Sequence, residues 1–338
     1  MTNPTVLSVH APGRVNLIGE HTDYTGGLAF PMAIDRGTTL TATRHGSDLV
    51  LTSDDAPGRV EVTLPFEGDP SSLEPQWASF IAAVAAELGS TEGLEGHLRS
   101  DIPAGAGLSS SAALMCVIGL ALGFEGSPLE LAQHARRAEH AATGVPTGIM
   151  DQYCIAAAVA GHATLIDCAE LSIEQVPVPD EIDIAVRFIA HRTLRGSSYS
   201  DRVDECARAT SEVGPLRAAT LDLVNAITDP IARKRARHVV SENQRVRDFA
   251  DALRRADYPA LGRLLRAGHA SLRDDFDTST PQMDAAVDEL NATDGVFGAR
   301  MTGGGFGGCV VAICEPGALQ DAWIVTPSAG ARVLPPGD

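Results

Sequence analysis

The segment at residues 12–27, PGRVNLIGEHTDYTGG, constrains this chain more than any other part of its sequence. It places Arg14, Glu20, His21 and Asp23 between glycines, directly after an apolar run at residues 6–9. Carboxylates and an imidazole can accept and donate several hydrogen bonds at once. Such groups suit a polyhydroxylated ligand, because a site built from them rejects analogues that lack the matching hydroxyl. A polar hairpin turn is the alternative interpretation, but it leaves Arg14 and His21 unexplained. We therefore interpret the segment as a glycine-bounded binding turn.

A second segment, residues 103–114, reads PAGAGLSSSAAL and is typical of a phosphate-binding loop. Gly105 and Gly107 free the backbone after Pro103, and a helix is predicted to begin near Ser109. A helix N-terminus offers unpaired N–H groups and a partial positive charge, and glycines let a phosphate approach the backbone closely. A helix N-cap, the alternative, needs only one serine. Three serines after two glycines favour the phosphate site.

The single lysine of the chain, Lys234, lies far from every glycine-rich segment. A Walker loop needs a lysine within its glycine-rich sequence, and a protein kinase needs a strand lysine that reaches the phosphates. Neither kind of nucleotide site can therefore be present. Nucleotide phosphates would have to be held by backbone N–H groups, a metal ion and arginine.

Two further segments, GVPTGIMDQ at residues 144–152 and MTGGGFGGC at residues 301–309, complete a set of four motifs. In this order, and over nearly the whole chain, the set resembles the GHMP kinases, and residues 12–27 resemble the galactokinase signature within that family. The resemblance implies phosphorylation of galactose at its anomeric hydroxyl, with ATP as co-substrate and Mg²⁺ as the metal. The alternatives are a sister GHMP kinase acting on a related hexose or amino sugar, and a galactose and ATP sensor without turnover. Such sensors lack the serine–alanine pair that this chain keeps at Ser111 and Ala112.

The resemblance also implies the catalytic and metal-binding residues. Asp151 would be the general base, and Arg14 would orient it and oppose the charge of the transferring phosphoryl group. From the residues alone, Asp151 could equally cap a helix at residues 152–160. Ser111 and Glu139 would hold Mg²⁺, which takes few oxygen ligands from a protein. Without the resemblance, Glu139 would be interpreted as a solvated helix carboxylate.

The remaining expected ligands belong to the sugar and the nucleotide. The sugar-binding residues implied by the resemblance are Glu20, His21, Asp23, Gly148 and Tyr199. The nucleotide-binding residues are Gly105, Ala106, Gly107, Leu108, Ser109, Ser110, Ser111 and Trp77. Trp77 is included because it matches a tryptophan that stacks near adenine. Packing in the protein core is the open alternative for both Tyr199 and Trp77.

The hydrophobic pattern predicts an α+β fold. Short alternating runs fill the first hundred residues, helical spacing appears at residues 74–88, and the pattern after residue 200 is mainly helical with strands near the end. The resemblance adds a two-lobed GHMP-kinase-like fold with the active-site cleft between the lobes. We place an N-terminal lobe with the phosphate-binding loop and Asp151 at residues 1–178, and a C-terminal α+β lobe with the third glycine motif at residues 179–338.

Two departures from the family pattern affect these expectations. Arg187, Phe188 and Ile189 replace a polar stretch in the strand before Tyr199, which could reshape the sugar site. The segment at residues 314–323 is shorter than the helix that the family has there, which predicts an uncovered or differently covered sheet face around residues 310–313. Because apolar strand residues need a partner layer, a homodimer is expected if a second subunit covers that face.

The composition of the chain limits which partners and which cellular location are expected. A net charge of −18 argues against nucleic-acid binding, which needs clustered Lys and Arg, and the basic run at residues 233–237 is expected to be a solvated helix face. The six cysteines form no C-x-x-C pair and are expected to be buried and reduced. No signal peptide and no apolar run of transmembrane length is evident. The expected location is cytoplasmic, with no membrane partner.

Overall fold

Two β-sheets carry the fold in the computed structural model, which describes residues 6–103, 105–191 and 198–335. The strands in these ranges are β1 (Val6–Ile18), β2 (Leu28–Arg44), β3 (Asp48–Ser53), β4 (Arg59–Thr63), β5 (Leu94–Ser100), β6 (His162–Asp167), β7 (Ser172–Pro177), β8 (Asp183–Ala190), β9 (Val296–Thr302), β10 (Gly308–Cys314), β11 (Trp323–Val325) and β12 (Arg332–Val333). The larger sheet has the strand order β12-β1-β2-β5-β3-β4, and β6 and β7 extend it from β2. The smaller sheet has the order β11-β8-β10-β9. Among the described residues, β3 and β5 pair in parallel and the other pairings are antiparallel.

The helices begin where the sequence supplies caps. The described α-helices are α1 (Gln76–Leu88), α2 (Ser110–Ala121), α3 (Pro128–Thr143), α4 (Met150–Ala157), α5 (Tyr199–Val213), α6 (Leu221–Asn225), α7 (Pro230–Arg254), α8 (Tyr258–Asp274) and α9 (Pro281–Asn291). Ser127 caps α3 in a capping box with Glu130, and Asp229 caps α7 by accepting from two backbone N–H groups. The α+β prediction is confirmed by this mixture of helices and sheets.

The first half of the predicted binding turn is a strand. Residues 12–18 belong to β1, so the expectation of a turn over the whole of residues 12–27 is wrong, and the turn itself occupies residues 19–27. β1 pairs with the long strand β2 over most of its length, with register shifts between Pro12 and Arg14 and between Asn16 and Ile18. A β-bulge re-aims the side chains beside it. Arg14 therefore lies between two irregularities of an otherwise regular pairing.

Both faces of β10 are covered within the chain. Every residue of β10 is buried. On one face, Val310 and Ala312 pack with Val287 and Leu290 of α9 and with Leu319. The other face joins the main core, which runs from the larger sheet through α7 and α8. The face at residues 310–313 is therefore not uncovered, since α9 and Leu319 of the same chain cover it. This face gives no support to the predicted homodimer.

The strands divide close to the predicted lobe boundary. β7 is the last strand of the larger sheet before the boundary, and β8 begins the smaller sheet. The end of the chain then returns to the larger sheet, since β12 pairs with β1. The division into residues 1–178 and 179–338 stays a prediction. None of the described helices is both long and apolar enough to span a bilayer.

Two expectations about charged and sulfur side chains have different outcomes. The solvated face predicted at residues 233–237 is wrong for Arg235, which is buried and pairs with Glu205 at 2.6 Å. All six cysteines are free, as expected, and all except the half-buried Cys168 are buried.

Candidate active site

Arg14 and Asp151 form a bidentate ion pair. The Arg14 Nε donates to Asp151 Oδ1 at 2.7 Å, and the Arg14 Nη2 donates to Asp151 Oδ2 at 2.6 Å. Arg14 comes from β1 and is buried, whereas Asp151 lies in the first turn of α4 with 29% of its side chain exposed. Asp151 makes no helix-capping hydrogen bond, so the alternative interpretation of this residue as a cap is not supported. Two parallel hydrogen bonds fix the plane of the carboxylate, and its partly exposed edge lines the cleft.

The ion pair is joined to the predicted phosphate-binding loop. The Arg14 Nη1 donates to the Gly107 carbonyl at 2.7 Å, and the Arg14 backbone N–H donates to the Leu108 carbonyl at 3.1 Å. The Ser109 hydroxyl donates to Asp151 Oδ2. The loop is therefore held in place by the same arginine that orients Asp151.

The loop itself has the expected backbone. Gly105 and Gly107 have φ values of 72° and 77°, a left-handed conformation that favours glycine, and α2 begins at Ser110. Gly105, Gly107, Ser109, Ser110 and Ser111 line the cleft. The side chains of Ala106 and Leu108 are buried, so these two residues can offer a ligand only their backbone. Ala104 of the motif lies outside the described residues.

Glu139 is buried beside Ser111 and accepts three hydrogen bonds. The Ser111 hydroxyl donates to Oε1 at 3.1 Å, while the Thr147 hydroxyl and the Gln152 amide donate to Oε2 at 2.7 and 2.8 Å. Burial raises the pKa of Glu139, and the Thr147 hydrogen bond opposes that rise. Oε1 and the Ser111 oxygen keep free lone pairs. Two hard oxygens at the edge of a phosphate-binding loop fit a magnesium ion whose other ligands are phosphate oxygens and water.

Asp23 lies against Gly148. A Cβ atom on Gly148 would lie 1.8 Å from Asp23 Oδ2, so only glycine allows the carboxylate this position. Burial raises the pKa of Asp23 to about 6, the negative charge of Asp151 adds to the rise, and the backbone N–H groups of Tyr24 and Met150 oppose it. The contact brings the glycine-bounded turn to the start of the helix that carries Asp151.

Glu20 is almost fully buried at the back of the cleft. Its Oε1 accepts from the Gly303 backbone N–H at 3.0 Å, and its Oε2 faces the guanidinium of Arg300. Burial raises the pKa of Glu20 to about 7, and the positive charge of Arg300 opposes that rise. The third glycine motif thus lines the back of the cleft through Gly303 and Gly304.

His21 and Tyr199 belong to an aromatic cluster on one side of the cleft. The ring of His21 packs against Phe276 at a centroid distance of 4.6 Å and against Tyr199 at 5.4 Å. The His21 Nδ1 lies 3.0 Å from the hydroxyl oxygen of Tyr24, within hydrogen-bond distance. Tyr199, the first residue of α5, also contacts the ring of Tyr24. Aromatic side chains beside a cleft suit the apolar C–H face of a sugar ring.

These residues meet in one cleft of about 360 Å³. The cleft brings together Arg14, Glu20, His21, Asp23, Glu139, Gly148, Asp151, Tyr199 and the lining residues of the phosphate-binding loop. Trp77 does not line it. The Trp77 indole donates to the Pro57 carbonyl at 3.0 Å and its ring packs against the core, whereas its neighbours on α1, Gln76 and Phe80, reach the cleft. A stacking role for Trp77 stays a prediction.

Sequence reasoning missed several supporting residues. Thr147 and Gln152 lie in a recognised motif but had no assigned role. Arg300 directly precedes the third glycine motif, and Glu242 lies on α7. A signal for Glu242 was available: it and His238 are titratable residues four positions apart on the apolar side of a predicted amphipathic helix, where a buried charge needs a partner.

Comparison with known proteins identifies the family. Residues 2–44 match the galactokinase galactose-binding signature, residues 77–161 the N-terminal domain of GHMP kinases, and residues 249–323 their C-terminal domain. The chain is 40% identical to the galactokinase of Chloroflexus aurantiacus over 92% of its own length and 84% of the relative's. It is 40% identical to human galactokinase over 94% and 86% of the two chains.

A solved structure agrees with these sequence matches. Lactococcus lactis galactokinase complexed with galactose superposes with a TM-score of 0.90 at 31% identity, covering 97% of this chain and 95% of the other. Sequence, fold and the order of the motifs along the chain lead to the same assignment: this chain belongs to the galactokinases of the GHMP kinase family.

Proposed function

We propose that this protein transfers the γ-phosphoryl group of ATP to the anomeric hydroxyl of galactose, giving galactose 1-phosphate and ADP. The observation that carries the proposal is the bidentate pair of Arg14 and Asp151, which lies where the glycine-bounded turn meets the phosphate-binding loop. A hydroxyl held by the turn and a phosphate held by the loop would meet at this pair. The solved galactokinase that this chain resembles is a complex with galactose.

Asp151 is the general base in this proposal. Its carboxylate takes the proton from the anomeric hydroxyl as that oxygen bonds to the γ-phosphorus, and the bond from phosphorus to the ADP oxygen breaks, so that ADP leaves with the electron pair. Arg14 fixes the carboxylate plane and leaves Asp151 partly exposed to the cleft. A base must be positioned within hydrogen-bond reach of its proton, and this ion pair supplies the positioning.

Positive charge at the transferring group comes from Arg14 and from backbone dipoles. The N-terminus of α2, entered through Gly105 and Gly107, directs N–H groups at the phosphates. Phosphoryl transfer depends mostly on positioning and electrostatic stabilisation. The arginine replaces the phosphate-binding lysine that this chain lacks.

Ser111 and Glu139 are the residues that would hold Mg²⁺. When bound there, the ion supplies positive charge to the β- and γ-phosphate oxygens. Thr147 and Gln152 orient the Glu139 carboxylate so that Oε1 stays available. Asp23, Glu20 and His21 are proposed to bind ring hydroxyls, with Gly148 and Tyr199 completing the sugar site. A cytoplasmic location, which the free cysteines suit, is part of the same proposal.

A sugar panel tests this function. ADP release is measured with galactose, glucose, 2-deoxygalactose and galactosamine at the same MgATP concentration, and the product is identified by ³¹P NMR. We expect kcat/KM for galactose to exceed that for glucose by at least roughly tenfold, because an inverted hydroxyl leaves a buried carboxylate without its partner. Equal values for the two sugars, or ADP release that no sugar stimulates, would refute the proposal.

A further inference from the structure

A buried charge cluster lies behind the glycine-bounded turn at residues 19–27. Arg300 of β9 is fully buried and forms an ion pair with Glu20. Its Nη1 donates to the Leu17 carbonyl at 3.1 Å and lies 3.6 Å from Oε1 of Glu242, which is also fully buried. One guanidinium thus lies between two carboxylates. Only Glu20 of the three charged residues lines the cleft.

The two carboxylates depend on Arg300 to different degrees. Burial raises the pKa of Glu242, but the charges of Arg245 and Arg300 outweigh it and lower that pKa to about 2. For Glu20 burial is the larger effect, and the pKa rises to about 7 although Arg300 opposes it. Glu242 has a second cation, since the Arg245 Nε donates to its Oε2 at 2.6 Å. For Glu20, Arg300 is the largest of the effects that lower its pKa, ahead of the Gly303 N–H and the charge of Arg14, so Glu20 relies mainly on Arg300 for its negative charge.

Two side chains of helix α7 accept hydrogen bonds from the backbone at the two ends of the same turn. Glu242 Oε1 accepts from the Gly19 N–H at 3.0 Å, and Asn243 Oδ1 accepts from the Leu28 N–H at 2.7 Å. These contacts hold both ends of the turn against the helix. Arg300 is the member of the cluster that acts on a side chain of the turn rather than on its backbone.

We propose that Arg300 is a positioning residue, which keeps Glu20 ionised and fixes the direction of its carboxylate so that a sugar hydroxyl meets a charged acceptor. Glu242 holds Arg300 in this position. The proposal rests on the proposed sugar phosphorylation, in which Glu20 binds galactose. It assigns to a residue outside the cleft a specific effect on sugar binding, with no direct role in nucleotide binding.

The experiment compares Arg300→Met and Arg300→Lys with the wild type. KM for galactose, KM for ATP, kcat and the thermal unfolding midpoint are measured for each protein. We expect Arg300→Met to raise KM for galactose roughly 10- to 100-fold, the range for a lost charged hydrogen-bond partner, while KM for ATP changes less than about twofold. Arg300→Lys should recover part of the loss, because it keeps the positive charge.

Arg187→Met is the matched control. Arg187 lies on β8, two strands from β9 in the same sheet, and forms ion pairs with Glu289 and Asp321. It does not line the cleft, so the structure gives no support to the expectation that this residue reshapes the sugar site. This variant also loses an arginine with two ion-pair partners, yet it should keep both KM values. An equal rise of both KM values in Arg300→Met, or an unchanged KM for galactose, would overturn the proposal.

A double-mutant cycle with Glu20→Gln guards against misfolding of the single variant. The double variant Glu20→Gln with Arg300→Met removes both members of the buried pair, which costs less stability than removing one. If Arg300 acts through the charge of Glu20, adding Arg300→Met to Glu20→Gln leaves KM for galactose unchanged. A further rise of that KM in the double variant contradicts the proposal. If the wild type binds galactose by calorimetry but releases no ADP, the proposed function fails, and the same cycle is then measured on the galactose dissociation constant.

Discussion

The carboxylate of Asp23 occupies the space that a Cβ atom of Gly148 would need. The separation of 1.8 Å between that Cβ position and Asp23 Oδ2 is far below any real contact. A residue proposed to hold the sugar is therefore seated on the backbone only three residues before the proposed base, Asp151.

Gly148→Ala is expected to displace Asp23 and to weaken galactose binding. Overpacking of this kind costs roughly 1–3 kcal/mol, and here the cost is relieved by moving a sugar ligand. We expect KM for galactose to rise by at least about tenfold, with a much smaller change in KM for ATP. Gly144→Ala is the steric control: a Cβ atom there meets no atom within 4 Å, so the backbone strain from its φ of 70° should lower the thermal unfolding midpoint without raising KM for galactose. A Gly148→Ala enzyme with normal KM for galactose would contradict the close packing.

Asp151→Asn is expected to keep the fold and lose turnover. The amide can still accept a hydrogen bond from Arg14 but cannot take the proton of the sugar hydroxyl. Loss of a positioned base costs roughly 10²- to 10⁴-fold in rate. Steady-state kcat and the thermal unfolding midpoint are the measurements. A kcat near that of the wild type would remove Asp151 from the base role.

Ser111→Ala and Glu139→Gln are each expected to weaken the activation of the enzyme by Mg²⁺, so that more Mg²⁺ is needed for half of the maximal rate. Both changes remove an oxygen ligand or its charge from the site proposed for the ion. The rate is titrated with Mg²⁺ at a fixed ATP concentration, and the activation midpoint should move to higher Mg²⁺. Glu130→Gln provides the control on the same helix, since that exposed carboxylate only caps α3. Activation curves that match the wild type in both test variants would reject the metal site.

The pH profile should report the protonation of Glu20 and Asp23, the two carboxylates of the turn at residues 19–27. Burial raises the pKa of Asp23 to about 6 and that of Glu20 to about 7. As the pH falls through these values each carboxyl takes up a proton and loses acceptor capacity. kcat/KM for galactose reports the free enzyme, so it should fall as the pH decreases from about 8 to about 5. In Asp23→Asn the lower of the two steps should vanish. A profile that stays flat over this range would show that neither carboxylate is needed in its ionised form.

Most residues of the candidate site could be predicted from local sequence motifs. Arg14, the phosphate-binding loop and Asp151 are each surrounded by glycines or serines whose backbone demands are visible in the sequence, and the structure brings them together. The strand at residues 12–18 was missed because Arg14 and Asn16 break the apolar alternation of a buried strand. Arg14 is tolerated there because the Asp151 carboxylate, from a distant segment, accepts two hydrogen bonds from its guanidinium.

Packing between residues far apart in the sequence was harder to predict from the sequence. The segment after Cys314 looked too short to cover β10, yet Leu319 and the side chains of α9 cover it. Arg300 and Glu242 carried no motif of their own, because their importance comes from contacts with a turn more than two hundred residues away. A pattern within a short window of sequence cannot report such a contact.

The same separation determines when the sugar site can form during synthesis. Glu20 receives a hydrogen bond from Gly303, which follows it by 283 residues, and the Gly19 N–H is bound by Glu242, 223 residues later. At about 5–20 residues per second, a ribosome needs on the order of tens of seconds to add these partners. Glu20, which we propose binds the sugar, is thus translated early but gains these partners only late. A nascent chain stalled before residue 300 would present its N-terminal motif without the ability to bind the sugar.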